Sequence, residues 1–401
     1  MAKTPQTPDI DVRLIAGAHT WIEGDAIKQL HAQAARPGMR AAVGFPDMQP
    51  GKGSPSGAVF LSDLIYPSIV GTDIGCGMAL WETDYPVRKI KIDKIKARLD
   101  GLDQPWDGDT AAFLAQHNVR PTAYDASLGT PGHSNHFIEL QQIVKIHDEA
   151  SAAELKLNPD TMKIVVHSGS RGFGEAIFME YAARHDATGL SADSDEGQAY
   201  LAAHNHAFRL ARANRVLCVR RVLEALNCTG NSVLDITHNA VLPFAYASCA
   251  CWLHRKGAAP ADCGPVIIPG SRDDLTFIVQ PIAPTDALAS LAHGAGRKIA
   301  RREAHGKLER LYPNKEKLKR NQWGGEVICG DAPLLWQEAK ECYKDVSTVI
   351  HDLEAAGLIA CIASLRPLVT FKSSEELREG YKRDRRTRQQ ERSKARAEKR
   401  R

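Results

Sequence analysis

A chain of 401 residues with 43% hydrophobic and 25% charged side chains has the composition of a globular protein with one sizeable core or two ordinary ones. No apolar run approaches the roughly 20 residues that span a bilayer, and no basic, apolar, small-residue leader opens the sequence, so a soluble, cytoplasmic protein is expected. The formal net charge of +4 is unevenly spread. From Lys382 onward Lys and Arg far outnumber Asp and Glu, and Ala is the only apolar residue, which leaves the body near neutral or slightly acidic. Such a tail cannot offset its ordering entropy by burial, so it is expected to be disordered or a lone solvated helix. A basic arm suits a phosphate backbone; a tail that merely aids solubility explains it as well.

Nine cysteines, scattered and odd in number, are not a disulfide framework; they are expected to be reduced and mostly buried. Cys249, Cys251 and His254 invite a zinc reading, but their spacing departs from the usual C-x-x-C.

In chain order, residues 26–35 read as a short helix. Residues 40–45 read as a strand leading into a turn-rich stretch, 46–57. Residues 58–61 and 65–70 are apolar and turn-bounded, as buried strands are. An amphipathic helix is expected over 89–99, and 103–134 reads as loop. A strand over 162–167 runs into Ser168-Gly-Ser-Arg171-Gly, and helices follow over 175–185 and 198–226. Strands over 266–268 and 276–280 flank Pro269-Gly-Ser-Arg-Asp-Asp; helices are expected over 296–311 and 344–356, and a last strand over 365–371. Without a regular βαβ period, the fold class is α+β: one large domain of mixed or antiparallel sheets surrounded by helices. The expected layout is a flexible N-terminal arm over 1–12, a catalytic domain over 13–372 and a basic tail over 373–401.

The chemistry gathers at strand-to-turn junctions. Asp73 and Cys76 lie in Gly71-Thr-Asp-Ile-Gly75-Cys-Gly77, where glycine permits tight turns and close backbone approach. Asn135-His136-Phe-Ile-Glu139 follows a glycine-containing turn; His167 ends a strand; His238-Asn239 follows Val233-Leu-Asp-Ile-Thr; His293-Gly-Ala-Gly-Arg297 precedes a basic helix. For any one histidine a structural or solvated role is the plainer reading, and it is assigned to His19, His31, His117, His147, His185, His204, His206, His254, His305 and His351. One Asp, one Cys and three His would saturate two metal ions if the thiolate bridged them. That donor set suits Mn, Zn, Fe or Co and is poor for Mg. Glycine turns offer backbone N–H groups to phosphate oxygens and Arg171 adds charge, which points to a nucleotide or polynucleotide substrate.

The ordered set DIGCGM, NHF-I-E, HSGSRG, HN, PGS, AHGAGR and YKD resembles the RtcB family of GTP-dependent 3′-phosphate RNA ligases, from about Phe45 to Lys372. The wording around Cys76 is similar to the shorter paralogues found beside a peptide-release-factor homologue and linked to ribosomal RNA repair. The resemblance implies two Mn(II) ions, with Cys76 bridging, His167 and His238 on one ion and Asp73 and His136 on the other. It implies that His293 attacks the α-phosphate of GTP, with Asp47 the candidate to orient its ring. It further implies guanosine nucleotide contacts from Asn135, Glu139, Asn239, Pro269, Gly270, Ser271, Thr276, Gly294, Ala295, Gly296 and Lys372. Glu139 suits guanine N1 and N2, and the Lys372 ammonium suits O6. The implied partners are RNA with 3′-phosphate or 2′,3′-cyclic phosphate and 5′-hydroxyl ends, GTP, and association with the ribosome or a release-factor homologue; no membrane partner is expected. The chain departs from the family pattern at Gln49, where a histidine is common, and at Arg272-Asp273, which adds a charged pair near the expected nucleotide. Two rival readings are a bimetal phosphodiesterase or nucleotidyl hydrolase on RNA, and a non-catalytic RNA-binding protein.

Overall fold

Alternate residues of single strands feed different cores, and this sets the architecture of the computed structural model, which describes residues 10–246, 249–282 and 287–373. The strands in chain order are β1 (Asp11–Leu14), β2 (Met39–Gln49), β3 (Ser56–Ser62), β4 (Gly77–Pro86), β5 (Phe137–Ile146), β6 (Thr161–Ser168), β7 (Gly230–Thr237), β8 (Asn239–Tyr246), β9 (Cys249–Lys256), β10 (Ala258–Pro260), β11 (Val266–Pro269), β12 (Thr276–Pro281), β13 (Ser290–Ala292), β14 (Glu326–Cys329) and β15 (Ile359–Lys372). The helices are α1 (Gly24–Ala34), α2 (Pro67–Val70), α3 (Ile92–Leu99), α4 (Thr110–Gln116), α5 (Glu149–Glu154), α6 (Gly172–His185), α7 (Asp195–Leu226), α8 (Arg301–Leu308), α9 (Ala332–Gln337) and α10 (Val346–Ala355).

A five-stranded sheet runs in the order β1-β2-β3-β9-β8, and a larger one in the order β11-β12-β15-β5-β6-β4-β7, with β14 beside β15. Neighbours are antiparallel except β1 with β2 and β14 with β15. On β3, Val59 and Leu61 face the larger sheet while Ala58 and Phe60 pack under Ala26 and Leu30 of α1. On β6, Val165 joins that intersheet core while Ile164 and Val166 pack against Val219 and Val222 of α7 and Ile95 of α3. The two-residue strand period thus builds a helix–sheet–sheet–helix stack, the expected mixed α+β domain. Among the described residues no helix is long and apolar enough to cross a membrane.

Several local expectations are corrected. The strand expected over 65–70 is instead α2, because Pro67 sits at its first turn, where a missing N–H costs nothing. Within the stretch read as loop, Asp109 caps α4 by accepting from Ala112 N, and Phe113 and Leu114 are buried. The helix expected over 296–311 is confined to α8. Gly296 is left-handed (φ 73°), Arg297 bridges to Tyr343, and Lys298 N donates to the Cys342 carbonyl, which keeps 296–300 extended. Residues 46–49, read as turn, continue β2. β1 begins at Asp11, inside the stretch read as an arm; residues 1–9 of that arm and the basic tail from 374 lie outside the described residues. All nine cysteines are free, and four rather than most of them are buried. Cys249 is exposed, Cys251 is buried beside Asp63, and the His254 Nε2 accepts from Tyr66 N, so these three are not gathered for zinc.

Candidate metal centre

Four neighbouring strands of the larger sheet, β5-β6-β4-β7, run antiparallel, so one edge of the sheet collects the start of β5, the end of β6, the start of β4 and the end of β7. His136, His167, Cys76 and His238 occupy those four positions. Register makes the alignment explicit: His167 pairs with Phe137 on one side and Met78 on the other, and Gly77 pairs with Thr237. Strands spaced about 5 Å apart bring such side chains together. The Cys76 Sγ lies 3.3 Å from His136 Nε2 and 3.2 Å from His167 Nε2. His167 Nε2 lies 3.3 Å from His238 Nε2, and His136 Nε2 lies 2.8 Å from the Asp73 carboxylate. All five residues singled out as ligands are therefore adjacent. Gly169 is part of this fit, since a Cβ there would sit 2.0 Å from the Asp73 Oδ1.

The electrostatics fit a cation. Burial, reinforced by neighbouring imidazoles, drives His167 and His238 well below the usual histidine range, so both are neutral. The His167 Nδ1–H donates to the Asn135 carbonyl, which leaves its Nε2 lone pair facing the cluster. Burial pushes the Cys76 thiol well up, and Asp73 adds to this; a bound cation is what would reverse it. Burial also pushes the Asp73 carboxyl up, but the His136 imidazole outweighs it and holds the group well below the usual carboxylate range. Cys76, His136 and His167 in particular form a group that can hold a metal ion.

Beside this cluster the chain crosses from the larger sheet to the smaller at His238, and the smaller sheet supplies Asp47. Pairing of β2 with β3 is interrupted between Gly44 and Gln49, and this irregular segment carries Asp47, which is 0% exposed. The ribbon of β10 and β13 delivers His293 directly after Ala292. The His293 Nδ1–H donates to Asp47 Oδ2 at 2.6 Å, and its backbone N–H donates to the same oxygen at 3.2 Å. The His293 and His238 rings are 4.8 Å apart between centroids. A Cβ on Gly296 would lie 2.1 Å from the Asp47 carbonyl oxygen, so this left-handed position requires glycine.

A cavity of about 800 Å³ opens over Asp73, Cys76, His136, His238 and His293, with Arg171 on its wall. A narrower second pocket shares His293 and Asn135 with it and is lined by Glu139, Pro269, Gly270, Ser271, Gly294, Ala295, Gly296 and Lys372. Asn239 and Thr276 do not line this second pocket. Asn239 faces the larger cavity, where its side chain holds Gly257 N and the Asp73 carbonyl. Thr276 accepts from Gln141, which in turn donates to Glu139. The expected Arg272-Asp273 pair is split: Arg272 lines the second pocket, while Asp273 accepts from Gln322 N. Gln49 accepts from Arg297 N between the two cavities.

Three supporting residues were assigned no role from the sequence. Arg215, 0% exposed, donates from α7 to the carbonyls of Gly75 and Ser168 and pairs with Asp235, which ties the strand ends around Cys76. Its signal was an arginine on the apolar stripe of a helix, with Ala211, Cys218 and Val222. Lys344 donates to the carbonyls of Pro46 and Met48, on either side of Asp47. Glu338 draws in Arg297, Lys372 and the Tyr343 hydroxyl at the floor of the second pocket; Lys344 lies in the YKD motif, whereas Glu338 had no local signal.

Fold and site have the build of an enzyme with a place for a metal ion. Residues 29–105 and 106–373 match the family described as tRNA-splicing ligase RtcB. An RNA-splicing ligase RtcB2 of Escherichia coli is 44% identical over 366 residues, 90% of this chain and 95% of the relative. The RNA-splicing ligase RtcB of Mycobacterium tuberculosis is 28% identical over 84% of this chain and 98% of its own length. The tRNA-splicing ligase RtcB of Archaeoglobus fulgidus is 28% identical over 88% and 92%. The chain belongs to the RtcB family of RNA ligases.

Proposed function

We propose that this protein is a GTP-dependent RNA ligase that joins a 3′-phosphate or 2′,3′-cyclic phosphate end to a 5′-hydroxyl end, through a guanylylated His293. The observation that carries this reading is the 2.6 Å contact between His293 Nδ1 and the buried Asp47 carboxylate. A carboxylate only accepts, so Nδ1 keeps the proton and Nε2 keeps the lone pair that a nucleophile needs. The His293 Nε2 attacks the α-phosphorus of GTP; the N–P bond forms as the bond to pyrophosphate breaks. A 2′,3′-cyclic phosphate is first opened by water, which breaks its bond to the 2′ oxygen; an oxygen of the RNA 3′-phosphate then displaces His293, giving a 3′-linked guanylate anhydride. The 5′-hydroxyl oxygen attacks the 3′-phosphate, loses its proton, and GMP leaves. Asp47 holds the imidazole in one tautomer throughout, and Lys344 steadies the backbone on either side of Asp47.

In this reading Asp73, Cys76, His136, His167 and His238 would hold two Mn(II) ions with Cys76 shared. Divalent ions there supply positive charge against the developing negative charge on phosphoryl oxygens. The guanosine nucleotide occupies the second pocket, with its base toward Glu139 and its α-phosphate toward His293, and the RNA ends occupy the larger cavity beside Arg171. Broken transfer RNA and nicked ribosomal RNA present ends of this kind, which fits a role in RNA repair.

The test is incubation of the full chain with Mn(II) and GTP labelled at the α-phosphate, beside His293→Ala. Acid-labile, base-stable label on the wild type alone is the expected result. Absence of label on metal-loaded wild type refutes the ligase and favours a bimetal hydrolase.

A further inference from the structure

Among the charges of the second pocket that the reaction above does not use, one is left without a full set of partners. Arg272, 8% exposed, stands on the loop between β11 and β12. Its Nη2 donates to the Leu335 carbonyl at 2.8 Å, but its Nη1 is buried and has no hydrogen-bond partner. A guanidinium does not shed its proton to escape burial. A buried, unpaired N–H on such a group is a penalty that a ligand acceptor would remove.

Of the neighbouring charges, Arg301 is turned to Glu338 at 3.6 Å and lines the larger cavity as well. Glu338 is engaged by Arg297 at 3.1 Å, Lys372 at 3.3 Å and the Tyr343 hydroxyl at 2.6 Å. Lys372 is the cation expected from the sequence to face the base, yet its Nζ already has three acceptors. They are the Ser134 carbonyl at 3.0 Å, the His136 carbonyl at 3.1 Å and the Glu338 carboxylate. An ammonium has three hydrogens, so Lys372 has none left for a ligand, whereas Arg272 has a free one. Glu139 is the pocket's acceptor. Its two oxygens take one donor each, from Thr370 at 2.5 Å and Gln141 at 2.6 Å, and each retains a lone pair. Arg272, Glu139 and Lys372 line the same pocket.

A free cationic donor beside a carboxylate acceptor matches the edge of a 6-oxopurine. Such a ring offers O6 and N7 as acceptors and N1–H as a donor, whereas adenine presents an amino group in place of O6. We propose that Arg272, rather than Lys372, is the donor that reads the purine, and that Arg272 and Glu139 together make the pocket selective for 6-oxopurine nucleotides. Lys372 then positions the Ser134–His136 backbone. This rests on the reading of the second pocket as a nucleotide site.

The experiment is equilibrium titration of the full-length protein, in Mn(II), with GMP, IMP and AMP, for wild type, Arg272→Met and Arg272→Gln. Wild type is expected to prefer GMP and IMP to AMP. Arg272→Met is expected to weaken GMP and IMP by roughly tenfold to a hundredfold, and AMP by less than about threefold. IMP tracks GMP because both carry O6. Arg272→Gln keeps an amide donor, so it covers the case in which the Met variant does not fold. Its expected loss is smaller and confined to the same two nucleotides. Equal loss for all three nucleotides, unchanged GMP affinity, or a wild type without preference for GMP over AMP each overturns the proposal. Arg272-dependent GMP binding with no covalent label on His293 refutes the ligase reading and leaves the assignment of Arg272 in place.

Discussion

Replacing Asp47 by Asn leaves the size of the side chain unchanged and alters only what it tells His293. Asp47 is buried, its Oδ2 holds both the Nδ1–H and the backbone N–H of His293, and its Oδ1 has no partner. The variant therefore loses no contact at Oδ1 and should fold. If the new amide oxygen faces Nδ1, a charge-assisted bond becomes a neutral one. The difference of about 1–1.5 kcal/mol slows guanylylation by roughly 5–13-fold. If the amide nitrogen faces Nδ1 instead, the ring adopts the opposite tautomer, Nε2 carries the proton, and the loss approaches roughly 10⁴-fold, as in hydrolytic triads with the same change. The assay is single-turnover transfer of label from α-labelled GTP to protein, with metal content and GMP affinity measured on the same samples. The expected result is a rate at least about fivefold lower with metal and GMP binding intact. A rate within about threefold of wild type refutes the claim that Asp47 sets the tautomer of His293.

Cys76→Ala removes the one atom in contact with both His136 and His167; Mn(II) affinity, followed by titration with elemental analysis, should fall more than roughly tenfold. Full affinity in that variant means the thiolate is not a ligand. Arg215→Met strips the hydrogen bonds from the Gly75 and Ser168 carbonyls and leaves Asp235 with only Arg212, a destabilisation of about 3 kcal/mol. Its denaturation midpoint and its metal affinity should drop together, and a drop in midpoint alone removes Arg215 from the support of the site. Acid should act through His204 and His254, which burial holds at about 4 and whose Nε2 atoms accept from Val241 N and Tyr66 N. The unfolded chain binds protons on both below about pH 6.5, whereas the folded chain resists until about pH 4. Stability is therefore lost as pH falls between those values, by up to about 3 kcal/mol per histidine. Denaturation midpoints that stay flat from pH 7 to pH 4 contradict this.

Local chemistry made the candidate ligands legible. Asp73, Cys76, His136, His167 and His238 each sit where an apolar run gives way to glycine or amide-bearing residues, and that boundary is written in neighbouring residues. The long period of α7 and the strand into His167 were legible for the same reason, since both patterns repeat within a few positions. Elements defined by distant partners were not. Pro67 turns an apolar run into a helical turn, and the extended path of 296–300 is held by Tyr343 and Cys342. Arg272 and Asp273 are adjacent in the chain, yet they point to a pocket wall and to Gln322.

The sequence by itself determined which side chains are candidates for the chemistry, because residue type and local spacing decide what can bind a metal or act as a nucleophile. Only the tertiary structure decided that they meet. The order β5-β6-β4-β7, the crossing between sheets at His238 and the break in β2 pairing at Asp47 all rest on pairings between residues far apart in the chain. Such pairings are chosen by burial of whole sheet faces, a sum over the molecule that no local pattern encodes.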